Sequence, residues 1–222
     1  MIATTVAGET LELFPQRAAY WKARATLLVA DPHFGKAATF RAAGVYVPEA
    51  TTAGTLARLT ALIDTTHAQR IVFLGDFLHA KEGRHPDTLA ALNGWREAHA
   101  SLEMAVVRGN HDRHAGDVPA TLRMTYANAP VIEGPFAFAH HPTRCNGSYV
   151  LAGHVHPAAH LSGRGRQHEC LPCFHFQREV GVLPAFGEFT GMAVVTPQAE
   201  DRVYVISEEE VIEVRVRAEG RR

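Results

Sequence analysis

Lysine is scarce in this 222-residue chain: of its 22 basic residues, 3 are Lys and 19 are Arg. Against 23 Asp and Glu they leave a formal net charge of −1. That balance excludes a protein that coats duplex nucleic acid through a global basic excess, so any such contact must come from a local patch. Arg suits phosphate recognition, although compositional bias accounts for the excess equally well. Cysteine is nearly absent too. Cys145, Cys170 and Cys173 are too few and too unevenly spaced for a disulfide framework, which points to reduced thiols. No apolar run approaches the roughly 18 residues that span a bilayer. Met1–Leu13 has neither the basic nor the apolar segment of a secretory signal. The expectation is a cytoplasmic protein without membrane contact. With 46% apolar and 20% charged residues, the composition also excludes a disordered or collagen-like chain. Histidine, with 14 residues, is what the chain has in excess, and imidazole in that number points to metal or phosphoryl chemistry.

Short apolar runs end in the same way along the chain. Thr26–Ala30 leads into Asp31-Pro-His33, Arg70–Leu74 into Gly75-Asp76, and Met104–Val107 into Arg108-Gly-Asn-His-Asp112. Phe136–Ala139 leads into His140-His141-Pro142, and Tyr149–Ala152 into Gly153-His-Val-His156. Runs of four or five residues with Gly or Pro close beyond them predict buried strands. Between them, 48–61 and Pro86–Ala98 carry helical spacing with Pro at the start, Leu89, Leu92 and Trp95 marking one face of the second. Alternating strands and helices predict an α/β fold. After His156, Met192–Val195, Val203–Ile206 and 211–216 predict strands without helices, completing a second sheet. No repeat or linker interrupts the pattern, so one domain is expected over 1–222, with 217–222 a short polar tail.

Asp31, His33, Asp76, Asn110, one of His140 and His141, His154 and His156 all follow predicted strands. Polar groups at the carboxyl ends of strands in an open α/β sheet converge on one crevice. Asp, Asn and His are all metal ligands, and here they make seven. They are too many for one tetrahedral ion and suit two ions that share a carboxylate. Steps of 45, 34, 30 and 14 residues separate Asp31, Asp76, Asn110, His140 and His154. Glycine before Asp76, Asn110 and His154 lets the backbone come close to the site. Each motif alone is weak, and the ordered set is specific.

That set, Asp31-x-His33, Gly75-Asp76, Gly109-Asn110-His111-Asp112, His140 and Gly153-His154-x-His156, resembles the calcineurin-like metallophosphoesterase superfamily. The segments Ala30–Gly44, Leu171-Pro-Cys-Phe174 and Leu183–Gly191 resemble its PdeM-type branch, the ligase-associated DNA damage response endonucleases. The resemblance runs from about Leu11 to Val205. It implies a four-layer α/β fold: two mixed β-sheets packed as a sandwich and flanked by helices. One metal would be held by Asp31, His33, Asp76 and His156, and a second by Asp76, Asn110, His140 and His154, with Asp76 bridging. His140 is preferred to His141 because it directly follows the strand. The donors admit manganese, iron, zinc or cobalt, and the resemblance favours manganese. His111 is the candidate to stabilise or protonate the leaving oxygen, with Asp112 orienting its ring. One departure is Pro32, where the family has an ordinary residue such as Leu; proline there favours an extended Asp31.

Lys36, Arg108, Arg113 and Arg144 are candidate phosphate contacts, and His79 can stand behind the ligands or face the substrate. Gly163-Arg-Gly-Arg166 reads as a solvated basic turn. His168-x-Cys170-x-x-Cys173-x-His175 offers four zinc-type donors, but within eight residues they are too close for the usual two ligand pairs, and a strand or loop is expected. The expected function is a dinuclear metal-dependent phosphodiesterase or nuclease acting on DNA in repair, with DNA ligase, helicase and exonuclease partners by resemblance. The alternatives are a phosphodiesterase for a small cyclic or modified nucleotide, and a non-catalytic metal-binding scaffold for repair partners.

Overall fold

The computed structural model describes residues 1–42, 44–45, 51–116, 119–162 and 168–215. The basic turn at 163–166 and the tail at 217–222 lie outside them.

The first sheet holds seven strands in sequence order: β1 (Ile2–Val6), β2 (Glu9–Phe14), β3 (Ala18–Trp21), β4 (Thr26–Val29), β5 (Arg70–Leu74), β6 (Glu103–Val107) and β7 (Thr125–Ala127). Its pairing is antiparallel from β1 to β4 and parallel from β4 to β7. The parallel half has helical crossovers, as parallel strands require. These crossovers include α1 (Lys36–Ala42) and α2 (Thr51–Thr66) between β4 and β5, α3 (Pro86–Ala98) between β5 and β6, and α4 (Asn110–Ala115) after β6. Residues 48–50 of the predicted helix 48–61 lie outside the described residues; from Thr51 that helix is present and runs on to Thr66.

The remaining strands form the second sheet: β8 (Val131–Glu133), β9 (Phe136–Phe138), β10 (Tyr149–Ala152), β11 (Pro157–Ser162), β12 (His168–Phe176), β13 (Val180–Val182), β14 (Ala193–Val194), β15 (Arg202–Ile206) and β16 (Val211–Val214). The order is β14-β11-β12-β13-β10-β9-β8, with β15 on β12 and β16 on β15. β9, β10 and β13 run parallel to one another, and β14 runs parallel to β11; β8 on β9, and β11, β13 and β15 on β12, are antiparallel. The five strand ends that carry the polar motifs are therefore shared between two sheets: β4, β5 and β6 in one, β9 and β10 in the other. The crevice lies where the two sheets' carboxyl ends meet.

Strand alternation sorts the core into layers. Leu27, Val29, Ile71 and Phe73 face outward and pack with Leu56, Leu59, Leu62 and Leu92 of the helices. Leu28, Val72, Leu74 and Trp21 face inward, against Phe136, Phe138, Phe174 and Phe176 of the second sheet. The implied sandwich with helices is present, and all four α-helices of the described residues precede Gly116. No helix among them is long and apolar enough to cross a membrane.

The His168–His175 segment is strand β12. Its alternation puts His168 and Cys170 on one face and Cys173 and His175 on the other, which excludes one metal site made from all four. Cys173 is buried, and burial pushes its thiol up to about 12. His175 Nε2 lies 2.7 Å from Asp201 Oδ2.

Trp21 closes the inter-sheet layer. It is 1% exposed, and its ring meets Phe136 edge-on at 5.0 Å between centroids. Trp21→Ala is expected to cost about 3–5 kcal/mol of stability, as for a large aromatic removed from a core, read as a lower midpoint of urea unfolding at unchanged slope.

Candidate metal centre

The loop after β4 and the loop after β5 run side by side. His33 N–H donates to the Asp76 carbonyl at 3.0 Å, Phe34 N–H to the Phe77 carbonyl at 2.8 Å, and His79 N–H to the Phe34 carbonyl at 3.1 Å. The start of α4 closes the third side, where His111 N–H donates to Asp76 Oδ1 at 2.9 Å. From the second sheet, His154 N–H donates to Asp31 Oδ2 at 2.6 Å. Asp31, His33, Asp76 and His140 are buried, and His154 and His156 lie nearer the surface.

Asp31, His33, Asp76, His154 and His156 all have φ between +43° and +68°. Non-glycine residues rarely adopt this region, and each costs of order 1–3 kcal/mol unless its surroundings impose it. The expectation of an extended Asp31 ahead of Pro32 is therefore corrected: its φ is +49°. The hydrogen bonds around it override the proline preference. Gly187 N–H donates to the Asp31 carbonyl, Phe186 N–H to the Ala30 carbonyl, and His154 N–H to the Asp31 carboxylate.

The side chains converge with too few hydrogens among them. His140 Nε2 stands 2.9 Å from Asn110 Oδ1, 3.0 Å from His154 Nδ1 and 3.5 Å from Asp76 Oδ1. One N–H could serve only one of these neighbours. On the other side, His156 Nε2 is 3.5 Å from Asp31 Oδ2, and His33 Nε2 is 4.0 Å from Asp76 Oδ2. Asp31 Oδ1 is buried with no hydrogen bond; His140 Nδ1 is 3.2 Å away but also faces the Leu74 carbonyl at 3.2 Å. Buried acceptors left facing one another are costly, and a divalent cation held there would offset that cost. The donor set, oxygen and imidazole nitrogen, fits such ions. Two groups of three stand close enough to ligate one ion, Asp31 with Asp76 and His140, and His140 with His141 and His154. His140 belongs to both.

At Asp31, His33 and His154 the protonation state suits metal binding, and at His140 it does not. Burial works against the Asp31 carboxylate, but His140 and His156 outweigh it and hold Asp31 down at about 2. Burial pushes His33 down to about 2, despite Asp31, so its imidazole is neutral. Burial and the neighbouring His140 also lower His154. For His140 the balance reverses, since Asp31 and Asp76 outweigh burial and raise it.

Backbone carbonyls aim three of the rings. Besides Leu74 behind His140, the Gly191 carbonyl lies 2.9 Å from His156 Nδ1, and the His79 carbonyl 2.5 Å from His111 Nδ1. The other ring nitrogen of each is thereby turned to the site, as behind metal-bound imidazoles. His111 Nε2 is 4.0 Å from Asp76 Oδ2. Asp112 does not orient the His111 ring as expected. Its Oδ1 accepts the Phe77 and Leu78 N–H groups and its Oδ2 accepts that of Gly109. A short helix starting at Asn110 turns the Asp112 side chain back onto its own N-terminus, where it ties the β5 and β6 loops together. Sequence reading missed the Gly191 and His79 carbonyls, since no side-chain pattern marks a carbonyl.

The candidate phosphate contacts divide. Lys36 opens α1, half-buried; burial lowers its pKa, and the nearby Asp76 and Asp31 offset that only in part. Arg113 is exposed on α4 and close enough to lower the pKa of His141. Arg108 lies over the Tyr126 ring at 4.9 Å, and Arg144 pairs with Glu179 at 3.1 Å. His79 stacks on His111 at 4.8 Å and faces His33, Nδ1 to Nδ1, at 3.3 Å.

No protein-family model and no curated protein matches the chain. Among solved structures, the Pseudomonas putida nuclease MPE is 42% identical, with a TM-score of 0.83 over 95% of this chain and 99% of that one. YfcE, a phosphoesterase from E. coli, is 16% identical, with a TM-score of 0.41 over 86% of this chain and 99% of its own. The class that the fold and site define is that of the metal-dependent phosphoesterases. The chain belongs to the calcineurin-like metallophosphoesterase family, in its PdeM-type branch.

Gly109 makes the close packing around Asp76 testable. A Cβ there would sit 2.4 Å from the Asp76 backbone nitrogen and 2.2 Å from Asp76 Oδ1. Gly109→Ala must push Asp76 aside, and divalent-metal affinity should fall about 10–100-fold, as for other lost supports of a ligand. Calorimetric titration with Mn²⁺ reads the loss, and an unchanged circular dichroism spectrum separates it from unfolding.

Proposed function

We propose that this enzyme hydrolyses phosphodiester bonds in DNA, using two divalent ions. One would be held by Asp31, His33, Asp76 and His156, and the other by Asp76, Asn110, His140 and His154. The observation that carries this reading is the cluster around Asp76, where buried oxygen and nitrogen acceptors from both sheets face one another. The nuclease activity named for the P. putida relative supports a nucleic-acid substrate, and the branch resemblance favours DNA. Manganese is the favoured ion, and the branch resemblance supports a repair role beside a ligase, helicase or exonuclease.

Bound divalent ions supply water activation and neutralise charge on phosphate oxygens. The chain supplies the rest. His111 is half-exposed, so its ring can reach a substrate oxygen, and the His79 carbonyl fixes the hydrogen on Nδ1. Nε2 is then the nitrogen that can hold a proton and pass it to the leaving oxygen. Lys36 adds positive charge beside the carboxylates. Asp112 acts as a positioning residue for the Asp76 and Asn110 loops.

A gel assay with Mn²⁺ on single-stranded, nicked and 3′-blocked DNA tests the substrate. Asp76→Asn should abolish cleavage and lower metal content, and an active variant would overturn the shared ligand. Turnover of His111→Ala should fall about 10²–10⁴-fold, the range for a lost acid–base group, while elemental analysis still finds both ions. Hydrolysis of a cyclic nucleotide without cleavage of any DNA would move the substrate to the small-nucleotide class.

A further inference from the structure

Phe189 is 52% exposed and has φ +56°, a backbone region that bulky residues avoid. Its neighbours impose that conformation. Before it, Phe186 and Gly187 donate backbone N–H groups to the Ala30 and Asp31 carbonyls at 2.8 and 3.1 Å. Arg58 bonds the Phe186 carbonyl at 2.5 Å and meets Glu188 at 3.5 Å. After it, the Gly191 carbonyl is held by the His156 ring at 2.9 Å. Both ends of the turn are thus fixed to candidate metal ligands, and the turn presents a phenyl ring to solvent. Met192, 49% exposed, stands beside it. A cavity of about 140 Å³ is lined by Phe189, Met192, Pro157 and Arg17, and also by His156.

Among the described residues no other ring or cation stacks on Phe189, and leaving it in water with a strained backbone is unfavourable on both counts. Its place decides what covers it. A phosphodiester at the metal centre carries a base within one nucleotide of the scissile bond, and every base has a π-face that stacks on an aromatic ring. Arg17, on the same cavity, suits the adjoining phosphate. Resting on the DNA reading above, we infer that Phe189 is a specificity-determining stacking platform for a nucleobase flanking the scissile phosphate, and that this contact selects single-stranded over paired substrate, because a paired base has its faces covered.

The test compares single-stranded oligonucleotides with and without an abasic residue next to the cut. For the wild type, the abasic residue at one flank should raise KM roughly five- to a hundredfold, the worth of one base–aromatic stack. Phe189→Ala should raise KM on the intact strand by a similar factor and then be indifferent to the abasic residue. Phe189→Trp should restore the discrimination and Phe189→Leu should not, which separates stacking from apolar packing. Without added metal, single-stranded DNA should quench the fluorescence of Phe189→Trp. Equal abasic penalties in the wild type and Phe189→Ala would overturn the platform while leaving the nuclease reading intact. A wild type that cuts no DNA overturns both. A concentration-dependent dimer that Phe189→Ala abolishes would assign the ring to a second copy of the chain instead.

Discussion

Asp76 stands where three loops meet, and its main chain and side chain are both committed. Its carbonyl takes the His33 N–H, and its Oδ1 takes the His111 N–H. Gly109 lies so close that a single added carbon would collide with it. The next two residues give their N–H groups to Asp112. Nothing at this junction can move alone. A metal centre needs that stiffness, because its ligands must be held within a fraction of an ångström before the ion arrives.

The same junction explains the left-handed backbone at five of the proposed ligands. A strand that ended in ordinary extended or helical geometry would carry its side chains past the crevice. Turning φ positive at the strand ends of β4, β5 and β10 brings Asp31, Asp76 and His154 back over it. The strain is tolerated because backbone hydrogen bonds on each side over-determine the turns. It is distributed over both sheets, so the inter-sheet core of Trp21, Phe136, Phe138 and Phe174 also positions the site.

Much of this was legible beforehand, for local reasons. β5, β10 and α3 have the predicted bounds, since each is a continuous apolar run or a helical repeat closed by Gly or Pro. The convergence of the metal candidates on one crevice was legible because each follows such a run. The N-terminal hairpins β1 to β3 were not. Thr and Glu interrupt the apolar residues of β1 and β2, and β3 is only four residues long; their placement involves contact with β15, where Thr4 Oγ1 meets the Tyr204 hydroxyl at 2.8 Å across 200 residues. The division of the crevice between two sheets was hidden for the same reason. The Asp112 role failed differently: adjacency to His111 in sequence says nothing about direction on a helix, where neighbours point about 100° apart.

Burial within the centre is graded, and the gradient sets the direction of approach. The carboxylates lie deepest, with Asp31 side-chain exposure at 0% and Asp76 at 4%, while His156 reaches 16% and His111 38%. An anionic substrate therefore meets imidazoles before it meets carboxylates. The negative charge that attracts the ions is kept at depth, where low polarisability strengthens it toward a cation. The face turned to solvent is left with imidazole rings, the side chains of Lys36 and Arg113, and the Phe189 turn at its edge. That order separates the group that holds metal from the group that meets phosphate, although all of them hang on the same few strand ends.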